Sequence, residues 1–130
     1  MNYHKSITIE GKSFDQTIEA VTEALKSEGF GVLTDIDVSA TFKKKLDLDF
    51  QKYRILGACN PHFAHKAISS ENKIGVFLPC NVVVQQHENG SIEVSAVDPM
   101  ASMMSVENDS LGAIASEVNT KLDKVIAQLS

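Results

Sequence analysis

The feature that most restricts the fold is a pair of apolar segments joined through Asn89-Gly90. Asparagine followed by glycine is typical of a β-hairpin turn, because both residues accept positive φ angles. The flanking segments, 73–87 and 91–97, are therefore predicted to be strands. Strands joined by so short a loop are antiparallel neighbours, since a parallel crossover needs about a dozen residues or more. A parallel, doubly wound sheet is disfavoured.

The length of the hairpin loop decides which side chains meet across the two strands. A two-residue turn would set the polar Gln85 opposite Val94. A three-residue loop over 88–90, with Gly90 left-handed in a β-bulge, shifts the pairing by one residue and brings the apolar sets together. We predict the second register. Its expected pairs are Val84 with Val94, Val82 with Ala96, and Cys80 with Asp98.

Helical periodicity and capping residues predict the remaining elements. Ser13 and Gly29 are placed as the N-cap and C′ residues of a first helix, and Asn60-Pro61 opens a later one with proline at its first position. The other predicted strands are 5–10, 30–38 and 53–58, and the other predicted helices are 39–46 and 108–129. The order β-α-β-α-β-α-β-β-α predicts an α+β, two-layer sandwich, with helices packed on one face of a mostly antiparallel, twisted sheet.

Composition narrows the class of protein. The chain has 130 residues, of which 43% are hydrophobic and 22% charged, so one globular domain spanning 1–130 is expected. The net charge of −5 disfavours nucleic acid and anionic membranes as partners. There is neither an apolar run of the ~20 residues that cross a bilayer nor a secretory leader, so we expect a cytoplasmic protein. Its two cysteines are expected to be reduced thiols.

Three short phrases place a polar or sulfur-containing residue next to a proline at a predicted strand end. They are Cys59-Asn60-Pro61, Pro79-Cys80-Asn81 and Asp98-Pro99-Met100. If the strand that ends near Cys59 lies beside the strand that contains Cys80, these side chains converge on one rim of the sheet. The candidate residues for binding a small molecule or a partner are Cys59, Asn60, Cys80, Asn81, Asp98 and Met100.

The chemistry of this rim has more than one interpretation. Thiolates and imidazoles bind zinc and copper(I), and Cys59 and His62 have a suitable spacing. No second pair completes a tetrahedral set, so neither a metal nor another cofactor is assigned. Cys59 lies just before a helix, which favours a nucleophilic thiolate, but no catalytic residue is assigned and enzymatic activity is not expected. A thiol- or metal-dependent accessory protein in sulfur or metal handling is the alternative function.

A structural interpretation of the same residues also stays open. Free cysteine packs as a small hydrophobic side chain. Asn60 is explained as a helix cap, Asn81 as a strand-end residue, and Asp98 as the start of a turn. The cluster of methionines from Met100 to Met104 is typical of flexible packing or of a partner surface.

Four phrases of the chain resemble a known family. They are Phe42-Lys43-Lys44-Lys45-Leu46, the segment 53–61 (YRILGACNP), the segment 78–84 (LPCNVVV) and Asp98-Pro99-Met100. Together they resemble the family called domain of unknown function 302, DUF302. The resemblance implies a sandwich of TT-1751-like type, similar to the TATA-binding-protein fold, and a homodimer. It implies no activity and no catalytic residues. One departure is Asp47, where the family pattern tends to have glycine.

Overall fold

Five strands form one antiparallel sheet in the order β1-β5-β4-β3-β2. The structure is a computed structural model and describes residues 2–130. The strands are β1 (His4–Ile9), β2 (Gly31–Asp37), β3 (Tyr53–Cys59), β4 (Cys80–Gln86) and β5 (Ile92–Val97). The helices are α1 (Phe14–Ser27), α2 (Val38–Leu46), α3 (Pro61–Ser70), α4 (Pro99–Ser102) and α5 (Asp109–Gln128). A 3-10 turn covers Ile74–Phe77.

The α+β two-layer sandwich is confirmed. Alternate residues of β4 and β5 face inward and form the core with the apolar stripes of α1 and α5. Leu25 of α1 and Leu122 of α5 are completely buried there. The opposite face of the sheet carries a partly exposed apolar row, in which Ile55 pairs with Ile36 on one side and Val83 on the other. Within residues 2–130, no helix is long and apolar enough to cross a membrane.

The hairpin has the predicted loop and the predicted valine pairs. Val84 lies opposite Val94, and Val82 lies opposite Ala96. The backbone N–H of His87 donates to the carbonyl of Ser91 at 2.8 Å, which leaves 88–90 as the loop. Gly90 has a φ of 90°, the left-handed conformation that the bulge requires.

Two predictions about the end of the hairpin opposite its loop are wrong. The segment before Cys80 is not a strand, because Ile74–Phe77 turns in a 3-10 helix that buries Ile74 in a second apolar cluster with Ala67 and Leu111. The pair Cys80–Asp98 does not form, because the β4–β5 ladder ends at Val82–Ala96. Asp98 instead donates its backbone N–H to the carbonyl of Tyr3 and begins α4.

Local capping follows the sequence closely. Ser13 and Gln16 form a capping box at the start of α1, and Gly29 ends that helix with a φ of 87°. Asp47 ends α2 in the same left-handed region, with a φ of 53°. Aspartate tolerates that region better than most side chains. The departure from glycine at this position therefore keeps the turn and adds strain.

Candidate functional site

A small cavity lies at the rim where β3 ends and β4 begins. Ala58 pairs directly with Cys80, so the two Cys-Asn dipeptides are brought side by side. The cavity has a volume of about 40 Å³ and is partly open to solvent. Among residues 2–130, no charged residue lines it. Its apolar wall includes Phe30, Phe63, Leu78, Ile114 and Val118.

Close backbone packing fixes one side of this cavity. A Cβ atom added at Gly57 would lie 2.7 Å from Cγ of Pro79 and would also clash with Thr34. Only glycine lets Pro79 pack this tightly against β3. The Leu78–Pro79 peptide bond is cis. Pro79 and Cys80 are thus held against the end of β3, where Cys59 and Asn60 complete the rim.

Asn60 carries the most unusual polar group of the described chain. Asn60 is one of the residues that line the cavity, and it is 8% exposed. Its Oδ1 is the one fully buried side-chain nitrogen or oxygen among residues 2–130 without a hydrogen-bond partner. Asn60 is the N-cap residue of α3, as predicted, but its side chain makes no capping hydrogen bond. An unsatisfied buried acceptor costs about 1–3 kcal/mol. No hydrogen bond within residues 2–130 offsets that cost.

Gly29 makes room for this amide. A Cβ atom added at Gly29 would lie 3.0 Å from Nδ2 of Asn60, which is tighter than ordinary van der Waals contact. The residue that ends α1 therefore also determines where the Asn60 side chain packs. No side-chain hydrogen bond among residues 2–130 orients this amide, so its close contact with the Gly29 backbone is what positions it.

The two thiols of the cavity differ in their surroundings. Both are free, but Cys80 is 8% exposed whereas Cys59 is half-buried. Burial raises the pKa of the Cys80 thiol to about 11, and the nearby charge of Cys59 adds to the shift. Cys80 is consequently a neutral thiol at pH 7, and a neutral thiol is a poor nucleophile and a poor metal ligand. Residues 2–130 contain no group of three histidine, cysteine or acidic side chains placed to hold a metal.

The structure brings Cys59, Asn60 and Cys80 together and separates the other predicted residues from them. Asn81 is exposed on the opposite face of the sheet, where it lines a shallow hollow. Asp98 caps α4 by accepting from the backbone N–H of Met100 at 2.9 Å. Met100 itself lies outside the cavity, in a neighbouring groove.

This neighbouring groove has a volume of about 530 Å³ and runs along α4 and the first turns of α5. It shares two wall residues, Met103 and Ala115, with the cavity. Met100 and Met104 extend the wall, and Glu107 and Asp109 lie on its border. The sequence analysis named Met100 as a binding candidate and interpreted the methionine cluster as flexible packing or a partner surface. It missed Phe30 and Phe63, which belong to ordinary apolar patterns and carry no separate signal.

Comparison with known proteins identifies a family but does not identify an activity. The sequence profile of the domain of unknown function DUF302 matches residues 5–129. No curated protein matches the chain. The crystal structure of an uncharacterized conserved DUF302 protein from Bacillus stearothermophilus is 30% identical, with 100% of both chains covered and a TM-score of 0.91. The match along nearly the whole sequence and the agreement of the two folds show that the chain belongs to the DUF302 family.

Proposed function

We propose that this protein binds a small neutral molecule in the cavity at the ends of β3 and β4. The observation that carries the proposal is Asn60, which lines this apolar cavity and whose Oδ1 is buried without a hydrogen-bond partner among residues 2–130. A ligand with one N–H or O–H group would satisfy it. Binding sites of this kind combine an apolar lining with a few polar atoms that orient the ligand.

The lining of the cavity also disfavours a charged ligand. A charged group would lose its hydration in a cavity that offers no opposite charge, so the bound group is neutral. The cavity of 40 Å³ equals the space of about three water molecules. It therefore encloses a group of about three non-hydrogen atoms, and the rest of the ligand lies in the opening. The neutral Cys80 thiol acts as part of the apolar wall.

A matched pair of probes tests the hydrogen bond. Pyrrole and furan are rings of nearly the same size, but only pyrrole has an N–H donor. We expect pyrrole to bind about 5–30-fold more tightly, which corresponds to a hydrogen bond of roughly 1–2 kcal/mol. Both affinities are measured by titrating isotope-labelled protein with each ring and monitoring the NMR signals of α3 and of the Asn60 amide.

Two variants show whether the preference arises at the cavity. Asn60→Leu keeps the branched shape of the side chain and removes the acceptor, so pyrrole and furan should bind equally. Asn81→Leu changes the other Cys-Asn dipeptide, on the opposite face of the sheet, and should keep the preference of the unmodified protein. Equal binding of the two rings by the unmodified protein would overturn the proposal.

We also propose that two copies associate through α2 and the loop that follows it. The support is a helix of nine residues without a single buried side chain. Leu46, Leu48 and Phe50 are exposed beside it, and Leu48 is 54% exposed. So short a helix is not stable in water by itself and needs packing on an apolar face. An exposed apolar patch of this kind is typical of an interface between proteins.

Sedimentation at micromolar concentration tests the dimer. The unmodified protein should sediment as a dimer, and Leu48→Lys should sediment as a monomer with an unchanged circular dichroism spectrum. Val76→Lys, at an exposed apolar residue outside this surface, is the control and should remain dimeric. A monomeric unmodified protein would rule the dimer out.

The two reduced thiols suit a reducing compartment, and we propose on that basis that the protein is cytoplasmic.

A further inference from the structure

We infer that the ligand of the Asn60 cavity is an uncharged amphiphile, with a hydroxyl or amide head in the cavity and an unbranched aliphatic tail in the groove beside Met100, Met103 and Met104. This inference rests on the proposed function and assigns the chemical class of its ligand. Three observations carry it. They concern the two volumes, the wall that the two spaces share, and the charges at the border of the groove.

The two volumes favour a ligand that continues beyond the cavity. The space of about 40 Å³ takes only a head of about three non-hydrogen atoms. The adjoining groove offers about 530 Å³. Met103 and Ala115 belong to the walls of both spaces, so the two spaces are adjacent, and a tail reaches the groove by displacing the flexible Met103 side chain.

The side chains of the groove favour an aliphatic tail. Met100, Met103 and Met104 are unbranched and flexible, and methionine adapts its shape to apolar partners. Met104 is 69% exposed, so part of this apolar surface faces solvent. A tail that lies against the three methionines removes that surface from water. The stabilisation should grow with each methylene that the groove accepts.

The border of the groove excludes anionic ligands. Glu107 and Asp109 line its edge, and the chain as a whole carries a net charge of −5. Within the described part of the chain, neither the cavity nor the groove has a lysine or arginine in its wall. A fatty-acid carboxylate would therefore be repelled and would find no partner. An alcohol or a primary amide with the same tail meets no such penalty.

A series of straight-chain alcohols from 1-propanol to 1-octanol tests the inference. The protein is labelled at its methionine methyl groups, and the signals of Met100, Met103 and Met104 are followed by NMR. We expect the affinity to rise about 2–4-fold for each added methylene. Octanoate, with the same tail and an anionic head, should bind at least about tenfold more weakly than 1-octanol.

Substitutions at exposed positions separate the groove from the cavity. The double variant Met100→Gln and Met104→Gln keeps the length of both side chains and makes them polar. It should lose the gain per methylene and keep the affinity for 1-propanol. Val76→Gln, at an exposed residue outside the groove, is the matched control and should behave as the unmodified protein.

Failure of the inference is distinguishable from failure of the proposed function. If pyrrole is still preferred over furan but affinity does not rise with chain length, the tail is wrong and the cavity stands. If affinity rises with chain length but Asn60→Leu leaves 1-propanol unaffected, the head is wrong. Octanoate binding as tightly as 1-octanol would overturn the uncharged class. Methionine signals that move with protein concentration alone would assign the groove to a second copy of the chain.

Discussion

The dipeptide Cys-Asn occurs twice in this chain, and its two copies have opposite environments. At 59–60 the cysteine is half-buried and the asparagine is buried without a hydrogen-bond partner. At 80–81 the cysteine is buried and the asparagine is exposed. Both dipeptides lie on the same rim, because Ala58 pairs with Cys80.

The difference between the copies comes from their position relative to the strands. Cys80 and Asn81 are the first residues of β4, so they alternate between the inner and outer face as strand residues do. Cys59 is the last residue of β3, and Asn60 lies beyond it as the N-cap of α3. Because Asn60 lies beyond the strand, it does not follow this alternation, and it is one of the residues that line the cavity. The same Cys-Asn dipeptide thus gives a buried thiol at 80–81 and a buried acceptor without a hydrogen-bond partner at 59–60.

The largest expected effect is on stability, and it separates the two cysteines. Cys80→Ser should lower the free energy of unfolding by about 2–3 kcal/mol, because it buries a hydroxyl in an apolar wall. Cys59→Ser should cost less than about 0.5 kcal/mol, since that side chain is half-buried at the rim. Urea unfolding measures both values. Equal costs would mean that the two thiols share one environment.

The next effect is the dependence of stability on pH. The pKa of Cys80 is about 11 in the folded protein, against an ordinary value of 9.0 for a cysteine thiol. Between these pH values the unfolded chain loses this proton and the folded chain keeps it, so stability falls as pH rises. The fall attributable to Cys80 should be about 2 kcal/mol from pH 9 to pH 11.

Other groups also titrate in this range, and variants isolate the contribution of Cys80. Cys80→Ala should remove about 2 kcal/mol of the fall, whereas Cys59→Ala should leave most of it. The measurement is urea unfolding at pH values from 8 to 11. An unchanged pH dependence in Cys80→Ala would show that the thiol is not desolvated in the folded protein.

The smallest effect separates the two asparagines. Asn60→Leu should leave the free energy of unfolding unchanged or raise it by up to about 1 kcal/mol, because it removes an unsatisfied buried acceptor and breaks no capping hydrogen bond. Asn81→Leu, at an exposed position, should change it by less than about 0.5 kcal/mol. A loss of more than 1 kcal/mol in thermal or urea unfolding of Asn60→Leu would mean that the amide supports the fold.

The sequence predicted the elements well where local chemistry decides the structure. Gly90 set the hairpin register because a left-handed residue was needed at that point of the loop. Ser13 and Gly29 marked the ends of α1 for the same kind of local reason. The prediction failed over 74–77, where the burial of Ile74 against Ala67 and Leu111 outweighed the alternating pattern.

The candidate site was predicted only in part, for a physical reason. Cys59 and Cys80 were expected to meet because adjacent antiparallel strands share a rim, and they line one cavity. Phe30, Phe63 and Ile114 reach that cavity from three separate parts of the chain, and each looks like ordinary core in the sequence. Asn81 is exposed on the other face because it alternates with Cys80 along β4, and Asp98 lies apart because it caps α4.

By itself, the sequence determined the class of fold and the register of the hairpin. These follow from periodicity, capping and turn chemistry, which act between residues close together in the chain. Only the tertiary structure decided that Asn60 is buried without a partner while Asn81 is exposed. That outcome depends on α3 and α5 closing over the end of the sheet, and contacts between distant elements leave no local pattern in the sequence.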